Sequence, residues 1–360
     1  MFAALYLATT VLLVISILPV WRNPHWLVRA MDFPRLQLAA FALALLIAQA
    51  VAFDFDQPSH WIAIFTTAAC LVWHLWWIAP YTPLWPVEVP ATRAADKQLQ
   101  LSIITANVLT PNRNAQALLD LVAQHEPDIL LTLESDLWWQ ERLDTLQGEM
   151  PHTIKCPQDN LYGMHVYSRL PLQEAEVTFL VEDSVPSIHA LLTLRSGHTV
   201  CMHFLHPAPP SPTENTESIQ RDAELVTVAR SVARSHQAAI VTGDLNEVAW
   251  SPTTRLFRRI SGLLDPRVGR GMFNTFHADH WFMRWPLDYL FHSQHFSVQM
   301  LKRLPSIGSD HFPLLTRLSY TPGSDTDHAG LTPAAGDRQR AQNIVNAEDL
   351  SVSEVPRPGA

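Results

Sequence analysis

The chain has 360 residues, 48% hydrophobic and only 16% charged, with a formal net charge of −9. Charged content this far below the usual quarter excludes a disordered, fibrous or histone-like protein, and the length suits about two ordinary domains. Three cysteines, Cys70, Cys156 and Cys201, allow one disulfide at most and build no zinc ribbon, so they leave the compartment open.

These averages hide an asymmetry. Seven of the 12 tryptophans lie in the first 85 residues, where Arg22, Arg29, Arg35, Asp32, Asp54 and Asp56 are the only charged side chains. Three apolar stretches there, Met1 to about Val20, Leu36–Phe53 and Trp61–Ala79, have the roughly 20 residues that cross ~30 Å of hydrocarbon. Trp21, Trp26, Trp61, Trp76, Trp77 and Trp85 mark their ends, where amphipathic rings favour the headgroup layer. The first stretch lacks the basic start of a signal peptide and two more spans follow it, so residues 1–80 read as a membrane domain. His74, inside the third span, reads as an interhelical hydrogen-bonding group. The first loop holds Arg22, Arg29 and Arg35, and the second, Asp54–His60, holds no Lys or Arg. The positive-inside tendency therefore puts the first loop and everything after the third span in the cytoplasm, with Arg93 and Lys97 in agreement. The expectation is an integral membrane protein, of the inner or plasma membrane if bacterial.

Residues 81–98 are proline-rich and read as a linker. An alternating pattern follows over residues 99–320. LQLSIITAN is a strand, Ala115–His125 an amphipathic helix, DILLTLE a buried strand and Asp136–Gln147 a helix. GMHVYS, EVTFLV, IHALLTL and TVCMHFLH follow as strands at antiparallel spacing. Then come a helix at Ser218–His236, the strand AAIVTGDLN, a helix at Thr253–Ser261, and the strands LDYLFH, Val298–Leu304 and FPLLTRL. About ten strands with interspersed helices imply two packed sheets covered by helices. Residues 321–360 turn to Gly, Ser, Thr, Asp, Ala and Pro with little apolar periodicity, which predicts a disordered tail.

Polar residues collect at strand ends: Asn107, Glu134, His206, Asp244 with Asn246, Asp288 at the start of LDYLFH, and Asp310 with His311. Any one of them could cap a turn. Together they carry a single hard-oxygen chemistry that turns do not explain. TANV, PDILLTLE, LYGMHVYSRLPL, FLHPAPP, GDLNEVAWSP, PLDYLF and GSDHFPL stand in an order that resembles the endonuclease/exonuclease/phosphatase superfamily. That superfamily includes deoxyribonuclease I-like nucleases, inositol phosphatases and neutral sphingomyelinases.

The resemblance implies a four-layer α/β sandwich and Mg²⁺-dependent cleavage of phosphoester bonds, with Mn²⁺ as an acceptable substitute. Glu134, Asn107 and Asp310 match metal-shell positions, consistent with the oxygen ligands Mg²⁺ prefers. Asp244 orients or deprotonates the attacking water, Asn246 holds the phosphate, and Asp288 pairs with His311. Sequence leaves open whether Asp244 or His311 takes the proton. His206 and His311 can each give a charge-assisted hydrogen bond to a phosphoryl oxygen. Tyr162 matches a phosphate-contacting position, and Gly163 permits close backbone approach.

Other chemistries fit less well. Ser309, Asp310 and His311 spell a triad in letters only, because adjacent residues cannot converge on one substrate atom. His203/His206 and His277/His280 lack the further ligands of a zinc site. Trp281, Phe282 and Trp285 read as core packing, with a platform over the site as the alternative. RLFRRI (255–260) reads as a solvated helix face. Residues 91–320 carry 19 Lys and Arg against 24 Asp and Glu, and no basic run supplies the phosphate neutralisation of a nucleic-acid surface. The expected partners are the bilayer and a phosphodiester, either nucleic acid or phospholipid; no protein partner is implied. The competing expectation is a catalytically silent, membrane-tethered binding domain.

Overall fold

The computed structural model describes residues 1–92, 96–235, 237–321 and 330–359. Three helices, α1 (Phe2–Ile17), α3 (Arg35–Ala52) and α4 (Pro58–Ile78), are long and apolar enough to cross a membrane. A short α2 (Trp26–Ala30) lies in the loop between the first two. The three pack through Leu12, Ala42, Leu45 and Cys70, with small residues letting the backbones approach. Two polar clasps join them. Gln49 donates to Thr9 (2.8 Å) and Thr67 (3.0 Å), and Ser16 Oγ meets His74 Nε2 at 2.9 Å, the interhelical role expected of His74.

The body is a two-sheet sandwich. The first sheet runs β10 (Phe296–Arg303), β11 (Leu314–Tyr320), β1 (Gln100–Asn107), β2 (Ile129–Leu133), β4 (Met164–Ser168), β3 (His152–Cys156). The second runs β5 (Leu172–Thr178), β6 (Ser187–Thr193), β7 (Thr199–Leu205), β8 (Ala239–Asp244), β9 (Asp288–His292). Between them Ile103, Leu131 and Val166 meet Ile188, Met202, Phe204 and Ile240. α5 (Ala115–His125) and α6 (Leu137–Leu143) cover the outer face of the first sheet through Leu118, Val122 and Trp139. α7 (Ile219–Val232) and α8 (Pro252–Ser261) cover the second through Leu225, Val228 and Phe257. This is the four-layer α/β sandwich that the sequence predicted.

Two pairings are parallel, β1 with β2 and β7 with β8. Each needs a crossover helix, α5 or α7, which returns the chain so that both C-terminal ends emerge on one edge. Asn107 and Glu134 leave one such pair; His206 and Asp244 leave the other. Thr105 Oγ1 and Thr242 Oγ1, 3.0 Å apart, join the sheets just beneath. Gly243 (φ +147°) is required where β8 passes β7, because a Cβ there would collide with the Leu205 carbonyl.

Four sequence expectations change. The β3 strand, HTIKC, was not anticipated, because its half-buried residues lack the alternation of a two-sided strand. Only the first half of EVTFLV lies in β5, which begins four residues earlier, at Leu172, and ends at Thr178. The supposed linker is a strap: Val89 is fully buried, Glu88 pairs with Arg258, and Ala91 bridges Val298. The supposed disordered tail contains α9 (Asp337–Ala347), which buries Ala341 and Val345 against Val226 and Leu256. Arg93, His236 and residues 322–329 lie outside the described residues.

The head does not hang free of the body. Trp250, 1% exposed, donates from Nε1 to the Asp32 carbonyl at 2.7 Å, and Tyr81 Oη donates to the Ala249 carbonyl at 2.7 Å. Trp250→Ala is expected to cost about 3–5 kcal/mol, the range for a large buried aromatic, and Trp250→Phe a smaller part of it. Denaturant unfolding of the full chain in micelles checks this. An unchanged midpoint contradicts a packed junction.

Candidate active site

The parallel crossovers decide what meets at the open edge. Asn107, ending β1, donates from Nδ2 to Glu134 Oε1 (2.7 Å) and more loosely to Asp244 Oδ2 (3.3 Å). Its oxygen is occupied by the Leu109 amide at 3.1 Å. As it stands, Asn107 bridges two carboxylates, so it positions Glu134 where sequence reading made it an oxygen ligand. Glu134 adopts φ +56° and Asn246 φ +50°, both left-handed conformations that non-glycine residues rarely hold. Tight turns directly after the buried strands aim both side chains back into the site. Gly163 meets the Ser135 carbonyl, so its close backbone approach serves this turn.

On the other sheet, Asp244 ends β8 and lies directly opposite Asp288, the first residue of β9. His311 sits between the two carboxylates, with Nδ1 2.7 Å from Asp288 Oδ2 and Nε2 3.4 Å from Asp244 Oδ2. Burial alone would lower the His311 pKa, but Asp288 and Asp244 outweigh it and push it up to about 10. The two carboxylates therefore favour the protonated form of the His311 ring. Burial pushes Asp244 upward while the His311 charge pulls it back. The expected Asp288–His311 pair is present in the structure.

His206 differs from expectation. It is 2% exposed, burial holds its pKa down at about 4, and its Nδ1 has no partner among the described residues. Burial thus disfavours the charged ring that the expected charge-assisted role requires. Tyr162 lies with its ring 5.3 Å from the His206 ring, but its hydroxyl is hydrogen-bonded to Glu214. Asn246 Nδ2 donates to the Pro207 carbonyl (3.1 Å), and its own amide donates to Asp244 Oδ1 (2.9 Å). Asp310 takes a hydrogen bond from Ser309 Oγ at 3.3 Å.

A cation fits one corner of this cluster. Glu134 Oε2 is buried without a partner, and burial pushes the carboxyl up to about 8, with Asp310 and Asp244 adding to the effect. A divalent ion beside Glu134 and Asp310 would relieve that accumulation of negative charge. Asp244, Asp288 and His311 also place ligand atoms within 4.8 Å of one another, but His311 Nδ1 is already committed to Asp288. That trio is better suited to proton and charge management.

Among known proteins, the family model described as Endonuclease/Exonuclease/phosphatase family matches residues 104–311. The chain belongs to that family. Its members are generally phosphoesterase hydrolases and typically need a divalent metal. The human Nocturnin catalytic domain with bound sulfate is similar in fold: 16% identity, 63% of this chain and 97% of that one covered, TM-score 0.51. A family protein from Beutenbergia cavernae gives 15% identity over 63% and 73% of the two chains, TM-score 0.51. D. rerio TDP2 complexed with single-strand DNA product gives 16% identity over 61% and 99%, TM-score 0.48. No curated protein matches.

Sequence reading missed the groups behind this family site. Arg221, fully buried on α7, donates to the Asn246 carbonyl (2.7 Å) and to Glu247 Oε2 (2.6 Å). Phe276 packs on His311 with ring centroids 4.9 Å apart, and Thr275 Oγ1 accepts from the Asp288 amide at 3.2 Å. No sequence signal singled out Arg221, because α7 also carries Asp222, Glu224 and Arg230.

Asp288 and His311 are expected to act as a unit. Each of Asp288→Asn and His311→Ala should lower kcat by about 10²-fold or more, while the double variant should be little worse than His311→Ala. Strictly additive losses in a double-variant cycle would separate the two residues.

Proposed function

We propose that this protein is a membrane-anchored, Mg²⁺-dependent phosphodiesterase that cleaves its substrate by water attack. The observation that carries the reading is His311 held between Asp288 and Asp244, beside a buried Glu134 with a free oxygen. When bound, a divalent ion held by Glu134 and Asp310 supplies charge neutralisation at the phosphoryl oxygens. Asp244 orients the water and takes its proton, with His311 the less suited base because Asp288 and Asp244 favour its protonated form. His311 and Asn246 hold the phosphoryl oxygens as charge builds on them, and His206 adds a neutral donor. Tyr162 borders the same opening and contacts the substrate.

The bilayer is the proposed partner of α1, α3 and α4, and the catalytic body is proposed to lie on the cytoplasmic side. Arg22, Arg29 and Arg35 mark the loop on the body's side, and no Lys or Arg lies between α3 and α4. In the folded chain Arg29 and Arg35 are ion-paired, but charge bias acts during insertion, before those pairs exist.

A phospholipid is favoured over nucleic acid by one loop. Trp281 is 81% exposed and Phe282 53% exposed, so the aromatic patch is not core; only Trp285 packs inward, against Phe276. Gln37, in the first turn of α3, donates to the Phe282 carbonyl at 2.7 Å, which holds the aromatic tip beside the base of a membrane helix. The loop's other end is tied to the site, with the Ala278 amide donating to the Asp310 carbonyl at 2.6 Å. Exposed tryptophan and phenylalanine at that depth suit a headgroup interface.

The deciding experiment screens the full chain in micelles with Mg²⁺ against single-stranded nucleic acid, phospholipids and bis(p-nitrophenyl) phosphate. Turnover is expected to be abolished by chelator and lowered about 10²-fold or more by Glu134→Gln. Activity indifferent to chelator would remove the metal mechanism, and no turnover of any substrate would favour the silent binding domain. A companion test uses Trp281→Asp/Phe282→Asp. Its turnover of vesicle-borne lipid should fall about tenfold relative to its turnover of the soluble diester, since the anchoring aromatics contribute mainly at the interface. An unchanged ratio would argue against membrane-borne substrate.

A further inference from the structure

The basic α8 sequence RLFRRI is not the solvated face the sequence suggested. Arg258 is 3% exposed and paired with Glu88, while Arg255 and Arg259 turn toward the membrane helices. There they line a cavity of about 150 Å³ together with Arg22, Arg35, Arg340 and Trp77. The cavity sits at one level of the molecule, where α1 has just ended, α3 begins and α4 completes its last turn. Arg22 follows the first span, Arg35 opens α3, and Arg340 comes from α9.

The charge there is one-sided. Asp32 serves Arg35, and Asp337 serves Arg259 at 3.3 Å. Arg22, Arg255 and Arg340 make no ion pair among the described residues. The Arg35 and Arg255 guanidiniums each stand 5.0 Å from the Trp77 ring. Burial, with Arg259 next for Arg255 and Arg22 next for Arg340, lowers the pKa of both residues. Three polar atoms are without partners at the same place: the donors Arg35 Nε, on a side chain 3% exposed, and Trp77 Nε1, and one acceptor, Asp32 Oδ2. Five guanidiniums, two carboxylates and unpaired buried donors describe a site missing an anion.

We propose that this cavity binds the phosphoryl group of an acidic phospholipid, at a site separate from the catalytic one. The ligand chemistry is a phosphate monoanion or dianion, and its position at the span ends favours a lipid over a free ion. Exposed Val20 and Trp21 beside the opening offer an apolar path for acyl chains. Acidic headgroups between membrane helices are held in this manner by clustered basic side chains. The inference rests on the membrane insertion proposed above, not on the identity of the substrate.

Native mass spectrometry of the full chain in a neutral detergent tests it, with palmitoyl-oleoyl phosphatidylglycerol, the matching phosphatidylcholine and inorganic phosphate as probes. One phosphatidylglycerol should be retained at least about tenfold more strongly than phosphatidylcholine, and Arg255→Gln/Arg340→Gln should abolish that preference. Arg255→Lys/Arg340→Lys, which keeps the charges, should largely preserve it and controls for folding. Equal retention of the two lipids, or a preference untouched by the glutamine variant, overturns the proposal. Inorganic phosphate bound in place of lipid, and lost in the glutamine variant, would keep the phosphoryl site but overturn its lipid source. Release of the chain from membranes by alkaline carbonate reports on insertion itself, independently of the anion.

Discussion

Glu247 lies fully buried between two guanidiniums, with Arg221 at 2.6 Å and Arg29 at 2.9 Å, and the rest of the arrangement depends on that carboxylate. Arg221 belongs to α7, Arg29 to the segment between the long apolar helices α1 and α3, and Glu247 to the turn that carries Asn246. Asp222 closes the group, 2.9 Å from Arg221 and 3.5 Å from Arg29. Burying such charges is costly unless every member is paired, and removing one partner strands the others at about 3–5 kcal/mol. The network therefore gains little as a simple stabiliser. It ties the loop holding Arg29 to the body, because all four side chains belong to one ion-pair network. Through Arg221 and the Asn246 carbonyl, that network reaches the left-handed turn in the candidate site.

The sandwich and the chemistry were legible because both follow from short-range pattern. Buried strands such as DILLTLE and AAIVTGDLN end in carboxylates and amides, and a polar group after a buried strand has few reasons to be there. The Asp288–His311 pairing was available only through the family resemblance, since 23 residues separate the two in sequence. Charge states were not legible at all. His206 and His311 look alike as letters, yet burial holds one near 4 while two carboxylates lift the other to about 10. That difference lies in what surrounds each ring.

Misreadings fall where tertiary contact overrides composition. Proline-rich residues 86–90 look like a spacer, but Glu88 finds Arg258 and Val89 finds the sandwich core. Residues 337–347 have weak apolar periodicity because α9 buries only a narrow stripe, Ala341 and Val345, on a polar helix. Trp281 and Phe282 were read as core because large aromatics are normally buried. Their exposure makes sense beside the base of α3, where the usual rule about burial no longer applies. Arg29 and Arg35 were read as topological markers, and both have a second role in the fold as buried ion partners.

Rigid attachment changes what the three helices contribute. A flexible tether would raise the local concentration of the body near headgroups but leave its orientation free. Here Trp250, Arg29, Tyr81 and the Glu88 strap fix the body against the helix ends, so the distance from site to helix base is set by folding. The loop from Ala278 to Trp285 spans that distance, with Asp310 at one end and Gln37 at the other. For a diester lying in the bilayer plane, the orienting cost is then met during folding and need not be met again at each encounter. The same attachment lets the proposed anion site at the helix ends and the candidate site at the strand ends share one body. α8 and the turn before it contribute to both, with Arg255 and Arg259 facing the helices and Glu247 bracing Asn246.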